Sequence, residues 1–477
     1  MFKKTVLTSA LLLPLIANAQ DVFDPTPEEQ PVVMAAASSD TVTIDLVVFY
    51  QPIYKSRLGG FEALYERVNS LVSDVNEIYS NSKAGVHFEV IELRAVTGIP
   101  DDQPYQEETD DDGNVVVKSS NSIFSSRLLN PDGYYDENGN YQDNYPEYLA
   151  YTEFGGDIGL YVTDYRDPTR EVKLGAASQG GEISSIADEI ILSPSTEVVP
   201  VTLAHELGHN LEANHEEGAN RSSSRFDFAQ AFECDQKKTV MWSQITLGLS
   251  DKRLSFSSSS SSQDGSICGE GGVADNVQAI LQTKVSASER RERPASLGAV
   301  SFKEPSYTFG ENQEVAEIVL TRTGDLSESS SVLLVADSDT ASTVYDLKEV
   351  HKRVLFEAGK SEATVDLGLV SDAKNEGTEN LSLSLVYPYK ANVSGGDASL
   401  SIDDDYSGNP GEFQLSESVS VVEGEIATVA ISRINGSDGE FVVNVSSDYA
   451  DSNSATAYDF EKVNQRLVLE MVKQKNH

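Results

Sequence analysis

Eleven residues near the middle of the chain constrain its fold more than any other stretch: His205-Glu206-Leu207-Gly208-His209-Asn210-Leu211-Glu212-Ala213-Asn214-His215. Three of the chain's 6 histidines fall inside them. On a helix, His205 and His209 stand four apart, one above the other on the same face. Two neutral imidazoles so placed reach a single Zn²⁺, and the intervening Glu206 is positioned as general base for a water activated by that metal. His215 lies outside this helical repeat and reaches the same ion only if the chain leaves the helix and folds back. The residues just before, Val198, Val199, Val201, Leu203 and Ala204, are apolar and predict a buried helix flanked by strands. A satisfied core histidine is the ordinary explanation for one such residue. It does not account for three imidazoles and a carboxylate at these spacings.

The N-terminus sets the compartment. Lys3 and Lys4 precede an apolar run, Val6 to Ile16, and the small residues Ala17-Asn18-Ala19. This is the pattern of a secretory signal peptide with bacterial-type export, the mature chain starting near Gln20. The run is too short for a membrane span, and no later stretch is long and apolar enough. The chain carries 77 acidic against 35 basic residues, a formal charge of −42. That balance excludes nucleic acid and anionic membrane as partners. It suits a solvated surface in saline water, and particular runs suit Ca²⁺. The two cysteines, Cys234 and Cys268, are expected to form one disulfide, as an exported protein seldom keeps an exposed thiol. Neither lies ahead of the motif, so no prosegment cysteine blocks the metal.

Periodicity divides the chain. Residues 20–40 read as a linker or short prosegment. Thr41 to Tyr50 predicts a buried strand, Phe61 to Ser80 a helix through Leu64, Val68, Leu71, Val72, Val75 and Ile78, and Val86 to Val96 and Gly156 to Thr163 two further strands. The order strand, helix, strand, strand, motif helix describes an α/β layer with the metal site below the sheet. Between Pro100 and Phe154, the Asp-Gly and Asn-Gly runs at 110–114 and 136–140 predict hairpin turns rather than calcium loops. The serine run Ser257 to Ser262 reads as a flexible loop, and Asp275-Asn276 opens a helix through Val277, Ile280, Leu281 and Val285. Arg290-Arg291-Glu292-Arg293-Pro294 breaks that pattern and marks a domain boundary. Short β-rich runs with acidic turns follow, the pattern of a β-sandwich. They repeat: Gly310-Glu311 with Ile318 to Arg322 recurs as Val422-Glu423-Gly424 with Val429 to Arg433, and Ala341 to Leu347 as Ala455 to Phe460. The expected division is a signal peptide at 1–19, a catalytic domain at 41–290, a sandwich at 300–406 and a partial second repeat at 412–477.

Several stretches outside the motif resemble the metzincin metallopeptidases, and among them the reprolysin-like branch. Val75 to Tyr79 followed by Val86 to Val90 resembles the family's first helix and second strand. Leu174-Gly175-Ala176-Ala177 is similar to the edge strand along which substrate lies, and Thr239-Val240-Met241-Trp242 to the Met-turn. The resemblance covers Thr41 to about Ser288. It implies a mixed α+β/α/β catalytic domain in which His205, His209 and His215 bind zinc, Glu206 is the general base, Met241 lies beneath the metal, and substrate backbone pairs with Gly175, Ala176 and Ala177. Two residues depart from the pattern. Glu212 stands where the family usually has glycine, because the backbone turns there. A left-handed conformation at that position costs a non-glycine residue about 1 kcal/mol. A rival reading makes Glu212 itself a ligand, seven residues from His205 on the same face. Ser243 stands where branches with a fifth, tyrosine ligand carry that residue, so the chain looks unlike astacins or serralysins.

The tail resembles Calx-β domains, Ig-like all-β calcium-binding sandwiches. By position, Glu311, Asp346, Asp372, Glu376, Asp403, Asp404 and Asp405 would form an acidic cluster at one end. Together these features imply a secreted zinc endopeptidase acting on protein or peptide substrates. Its Ca²⁺-binding accessory modules would be available for cell-surface or matrix contacts. The competing class is an inactive calcium-dependent adhesin with a retained peptidase fold; the intact Glu206 weighs against it.

Overall fold

The strand β1 (Val42–Tyr50) is buried without interruption from Ile44 to Tyr50, as expected of a central strand covered on both faces. In the computed structural model the described residues are 41–58, 60–96, 145–163, 175–187, 198–219, 224–243, 251–337, 346–349, 351–370, 377–403, 411–416, 428–436, 441–446 and 464–469, with short pieces between 105 and 142 and the single residue 409. All belong to one compact unit, Ser38–His477. The signal-peptide and linker readings lie outside the described residues.

After β1 come α1 (Pro52–Leu58), α2 (Phe61–Asn81) and β2 (Val86–Ala95). Leu64, Val68, Leu71, Val72, Val75, Ile78 and Tyr79 form the buried face of α2, at the three- and four-residue spacing read from the sequence. The strands β3 (Tyr105–Thr109) and β4 (Val115–Ser119) pair antiparallel, as do β5 (Tyr134–Tyr135) and β6 (Tyr141–Gln142). These pairs flank the two Gly-containing runs, as hairpins would; the connecting residues themselves are not described. Then follow α3 (Pro146–Phe154), β7 (Ile158–Thr163), β8 (Gly175–Ala177), β9 (Ile183–Ala187) and the motif helix α4 (Val198–Asn210). The sheet runs β2-β1-β7-β9-β8. All neighbours are parallel except β8, which pairs antiparallel with β9 and forms the edge. Along β1, Ile44, Leu46 and Val48 face α2 and α4, whereas Val47 and Phe49 face Phe124, Tyr151 and Tyr161 on the opposite side. This alternation places α4 under one face of the sheet.

Beyond the motif lie the short pair β10 (Glu233–Cys234) and β11 (Lys237–Lys238), then α5 (Asn276–Ser288). Cys234 and Cys268 are joined in a disulfide. The serine run departs from the flexible loop expected of it. Ser257, Ser258 and Ser262 are buried. Ser257 Oγ donates to Gln230 O, and Ser259 N–H and Oγ both bind the Asp275 carboxylate that also caps α5 through Gln278 N–H. Small hydroxyls satisfy buried backbone where larger polar side chains would not fit. Composition alone does not distinguish that use from a solvated loop.

The arginines after α5 end the helical pattern and bind back to the sheet. Arg290 donates to Gly180 O and Asn210 O, Arg291 to Glu182 and Tyr151, and Arg293 clamps the Asp45 carboxylate with both Nε and Nη2.

Then come β12 (Ala299–Phe302), β13 (Ser306–Gly310), β14 (Val315–Arg322), β15 (Ser330–Asp337), β16 (His351–Phe356), β17 (Glu362–Gly368), β18 (Thr378–Tyr389), β19 (Asn392–Val393) and β20 (Asp397–Asp403). They form two sheets, β17-β14-β12-β19 and β13-β20-β18-β15-β16, around a core that includes Ile318, Leu320, Val332, Leu334, Phe356, Leu367 and Leu383. This is the all-β sandwich read from the alternating pattern. Farther on, β21 (Glu412–Leu415) pairs with β22 (Ile431–Ile434), and β23 (Phe441–Ser446) with β24 (Asn464–Leu469). The sandwich docks on the α/β layer. Leu333, Val335 and Tyr387 join the core cluster of α2, Tyr387 Oη donates to Asn69 Oδ1 at 3.2 Å, and Arg353 pairs with the buried Glu92.

Candidate metal centre

Every residue of α4 from Val198 to Asn210 is buried, so His205 and His209 face the interior, not solvent. The helix ends at Asn210. Leu211 N–H bonds to Gly208 O, Glu212 N–H to His209 O and Ala213 N–H to Gly208 O, and Glu212 adopts φ 66°. This left-handed residue reverses the chain, as the glycine of the resembled family would. Asn214 and Asn276 then clasp each other, Asn214 N–H to Asn276 Oδ1 at 2.8 Å and Asn276 Nδ2 to Asn214 O at 3.0 Å. His215 follows, returned to the face of the helix.

The three imidazoles converge. His215 Nε2 lies 3.0 Å from His205 Nε2 and 3.1 Å from His209 Nε2. His205 Nδ1 lies 2.9 Å from Val240 O, and His209 Nδ1 lies 3.0 Å from Ala213 O and 3.1 Å from Gln179 Oε1. A carbonyl accepts only, so each Nδ1 carries the proton and each Nε2 turns a lone pair inward. Burial, with the neighbouring imidazoles, holds His205 well below its ordinary pKa, and burial and His215 push His209 down to about 4. Both are therefore neutral. Tetrahedral zinc with nitrogens at about 2.0–2.1 Å separates its ligands by roughly 3.3 Å, close to the spacing here. Neutral nitrogen donors held by carbonyls fit zinc.

Met241 and the edge strand both lie against the motif helix. A Cβ built on Gly208 would lie 2.6 Å from Met241 Sδ and 2.9 Å from Phe256 Cε1, so fully buried Met241 packs directly against the turn between the two histidines. A Cβ on Gly175 would lie 2.6 Å from Glu206 Cγ and 2.7 Å from its Oε1. The edge strand therefore passes immediately over the Glu206 carboxylate; Leu174, just before it, lies outside the described residues. Glu212 does not join the triad. Its carboxylate accepts from Arg225 N–H at 3.0 Å and Nε at 3.2 Å, and the histidines come together without it. The rival ligand reading is thereby set aside.

Sequence reasoning missed the supports. Asn210 holds the helix end to the β8–β9 hairpin: Nδ2 donates to Ser178 O and Ile183 O at 3.0 and 2.9 Å, and Oδ1 accepts from Ser184 Oγ. Gly180 N–H donates to His209 O, and the Arg290 guanidinium reaches Asn210 O from behind. Local pattern carries no signal for these partners, which lie 26 to 80 residues away.

At the sandwich, Glu311 follows Gly310, which pairs with Asp403, and Asp403 Oδ1 accepts from Thr378 Oγ1. Leu369 N–H bonds to Glu314 O and Val370 N–H to Asp346 O, which brings the Glu311 turn and Asp346 to the same end. Glu311 and Asp346 are buried. Asp372, Glu376, Asp404 and Asp405 lie outside the described residues. Among the described residues the carboxylates close enough to share an ion are elsewhere: Glu62 and Glu66 of α2 with Asp337 of β15.

Comparison with known proteins adds two assignments. Residues 65–216 match the model of the metallopeptidase family M12B, reprolysin-like, and residues 295–406 that of the Calx-beta domain. A comparison with curated proteins gives no match. Among solved structures, the chain resembles a chaperone–substrate complex at 17% identity and TM-score 0.37, covering 53% of this chain and 36% of that one. It thus spans about a third of that structure's length. It also resembles the apo-form Calx CBD1 domain at 25% identity and TM-score 0.22, covering 23% of this chain and 99% of that one, and the Calx CBD2 domain at 15% and 0.22, covering 24% and 91%. The chain therefore joins a region similar to the reprolysin-like metallopeptidases of family M12B to a following region similar to the Calx-beta domain.

Proposed function

We propose that the chain is an exported zinc endopeptidase of metzincin type, with a catalytic domain at 41–290, a calcium-binding sandwich at 300–406 and a partial second repeat at 412–477. The observation that carries this reading is the convergence of three imidazole Nε2 atoms beside a carboxylate that lies against a sheet edge. In it His205, His209 and His215 hold zinc. A zinc ion bound there supplies Lewis acidity that polarises the scissile carbonyl and makes a water acidic near neutrality. Glu206 accepts a proton from the attacking water and returns it to the leaving amine. Gly175, Ala176 and Ala177 form the edge strand of the sheet among the described residues, so an extended peptide adds there as a further strand and passes over Glu206. The disulfide and the signal-like N-terminus support an oxidising compartment. No described helix is long and apolar enough to cross a membrane.

The reading requires cleavage of a mixed peptide library that stops on chelation and returns with stoichiometric zinc. Cleavage indifferent to chelator would sink it. For the sandwich, Glu311, Asp346 and Asp403, with Asp372, Glu376, Asp404 and Asp405, would hold calcium through hard oxygen ligands. Added calcium should then raise the melting temperature of the full chain, through mass action on the folded state. No shift at millimolar calcium contradicts that assignment.

A further inference from the structure

A cavity of about 640 Å³, within the size range of specific binding pockets, is lined in part by the residues that directly follow His215 and Met241. Its walls continue the two segments that frame the metal centre. Glu216 directly follows His215, and Trp242 directly follows Met241. The Glu216 carboxylate ties these segments together by accepting from Ser243 N–H at 2.8 Å and from its hydroxyl at 2.5 Å. Around this clasp stand Glu217, Gln230, Phe232 and Glu233, with Trp242.

The charge of the wall is one-sided. Three carboxylates line the cavity and no basic residue does, among the described residues. Two ammonium groups lie near the wall without lining it. Lys238 Nζ lies 5.3 Å from the Trp242 ring centroid and 3.6 Å from Asp251 Oδ2. Lys252 is buried, within electrostatic reach of Asp251 and Glu216. Glu233 stands opposite Lys238 in the β10–β11 pair, and Asp251 and Glu216 lie near the lysines as well, so these two cations face four carboxylates and the wall keeps a negative surplus. Trp242 and Phe232 add aromatic surface, which takes the stem of a long side chain and favours a cation near its ring.

We propose that this cavity receives a lysine or arginine side chain of the substrate, at one fixed position next to the scissile bond. The inference rests on the peptidase reading for its place in catalysis, but not for its binding. General attraction by the −42 charge of the chain would favour basic residues at every position alike. A built pocket favours them at one.

Trp242 is the only tryptophan, so intrinsic fluorescence reports occupancy of the cavity directly. The zinc-loaded full chain carrying Glu206→Gln is titrated with a peptide containing one arginine and with its citrulline analogue, which keeps shape and loses charge. The arginine peptide should shift the emission and bind about tenfold more tightly, the combined scale of a partly exposed ion pair and a cation–π contact. Glu217→Gln with Glu233→Gln should shrink that ratio towards one. Equal binding of the two peptides, or no change in emission, overturns the proposal. Cleavage profiling of the wild-type chain separates it from the peptidase reading. Cleavage with basic residues favoured at one position supports both, and cleavage with no such position, or with basic residues favoured everywhere, overturns the pocket alone. Absence of cleavage overturns the peptidase reading, while the fluorescence ratio still decides the pocket.

Discussion

Single residues carry the precision of the metal centre. Gly175 has ordinary backbone torsions, so its requirement is space for Glu206 and not conformational freedom. Gly175→Ala should leave the melting temperature nearly unchanged yet lower kcat by about a hundredfold, the scale of a misplacement near 1 Å. An unchanged kcat would show that the carboxylate can relocate. Glu212 is the opposite case, since its left-handed φ of 66° is strained but its carboxylate binds Arg225. Glu212→Gly relieves about 1 kcal/mol of strain and loses hydrogen bonds of similar value. Glu212→Ala loses the bonds and keeps the strain. Urea unfolding should therefore rank the alanine variant below the glycine variant. The motif showed that a turn was needed at Glu212; Arg225, thirteen residues away, was invisible to it.

At the scale of elements, strong periodicity was readable. The spacing in α2 and the apolar, β-branched run of β1 gave both elements and their buried faces, because each signal is local. The edge position of β8 was legible only through family resemblance, since three small residues have no pattern of their own. What ties elements together was not legible. The arginine cluster after α5 read as a boundary, yet Arg290, Arg291 and Arg293 fasten that segment to the ends of α4, β9 and β1. Arg290 is partly buried and donates to Asn210 O at the end of the motif helix, to Gly180 O in the β8–β9 hairpin and to Asp157 O just before β7. Arg290→Ala should cost about 1–3 kcal/mol in urea unfolding, the scale of a charged hydrogen bond lost from a buried acceptor. A change within a few tenths would mean that water replaces the guanidinium.

Across the whole molecule, the sandwich is seated on α2 and β2. Glu92 is 3% exposed and pairs with Arg353 of β16 as well as with Arg94. Burial raises its pKa while both arginines oppose that rise. Removing Arg353 leaves the carboxylate partly uncompensated, so Arg353→Ala should destabilise the chain by about 3 kcal/mol, measured by chemical unfolding. A loss below 1 kcal/mol would show that Arg94 suffices. His351 sits in the same seam, its ring centroid 5.2 Å from that of Phe61 and 5.1 Å from that of Tyr65. Burial pushes its pKa down from 6.5 to about 4, with Asp337 opposing. Between those values the unfolded chain binds more protons, so stability falls as pH drops through that window. His351→Phe should show a smaller fall in melting temperature from pH 7.5 to 4.5 than wild type. The difference between the two chains isolates His351 from His205 and His209, which shift in the same direction. Equal falls would exclude His351 as the acid-sensitive group of the seam.

The central claim is that one zinc ion on three histidines works with Glu206. Its most direct test measures zinc per chain and peptide cleavage side by side in wild type and Glu206→Gln. The account predicts one zinc per chain in both, with cleavage reduced about a hundredfold or more in the variant, the contribution of a general base. Equal cleavage by the two chains, or a variant that has lost its zinc, would contradict it.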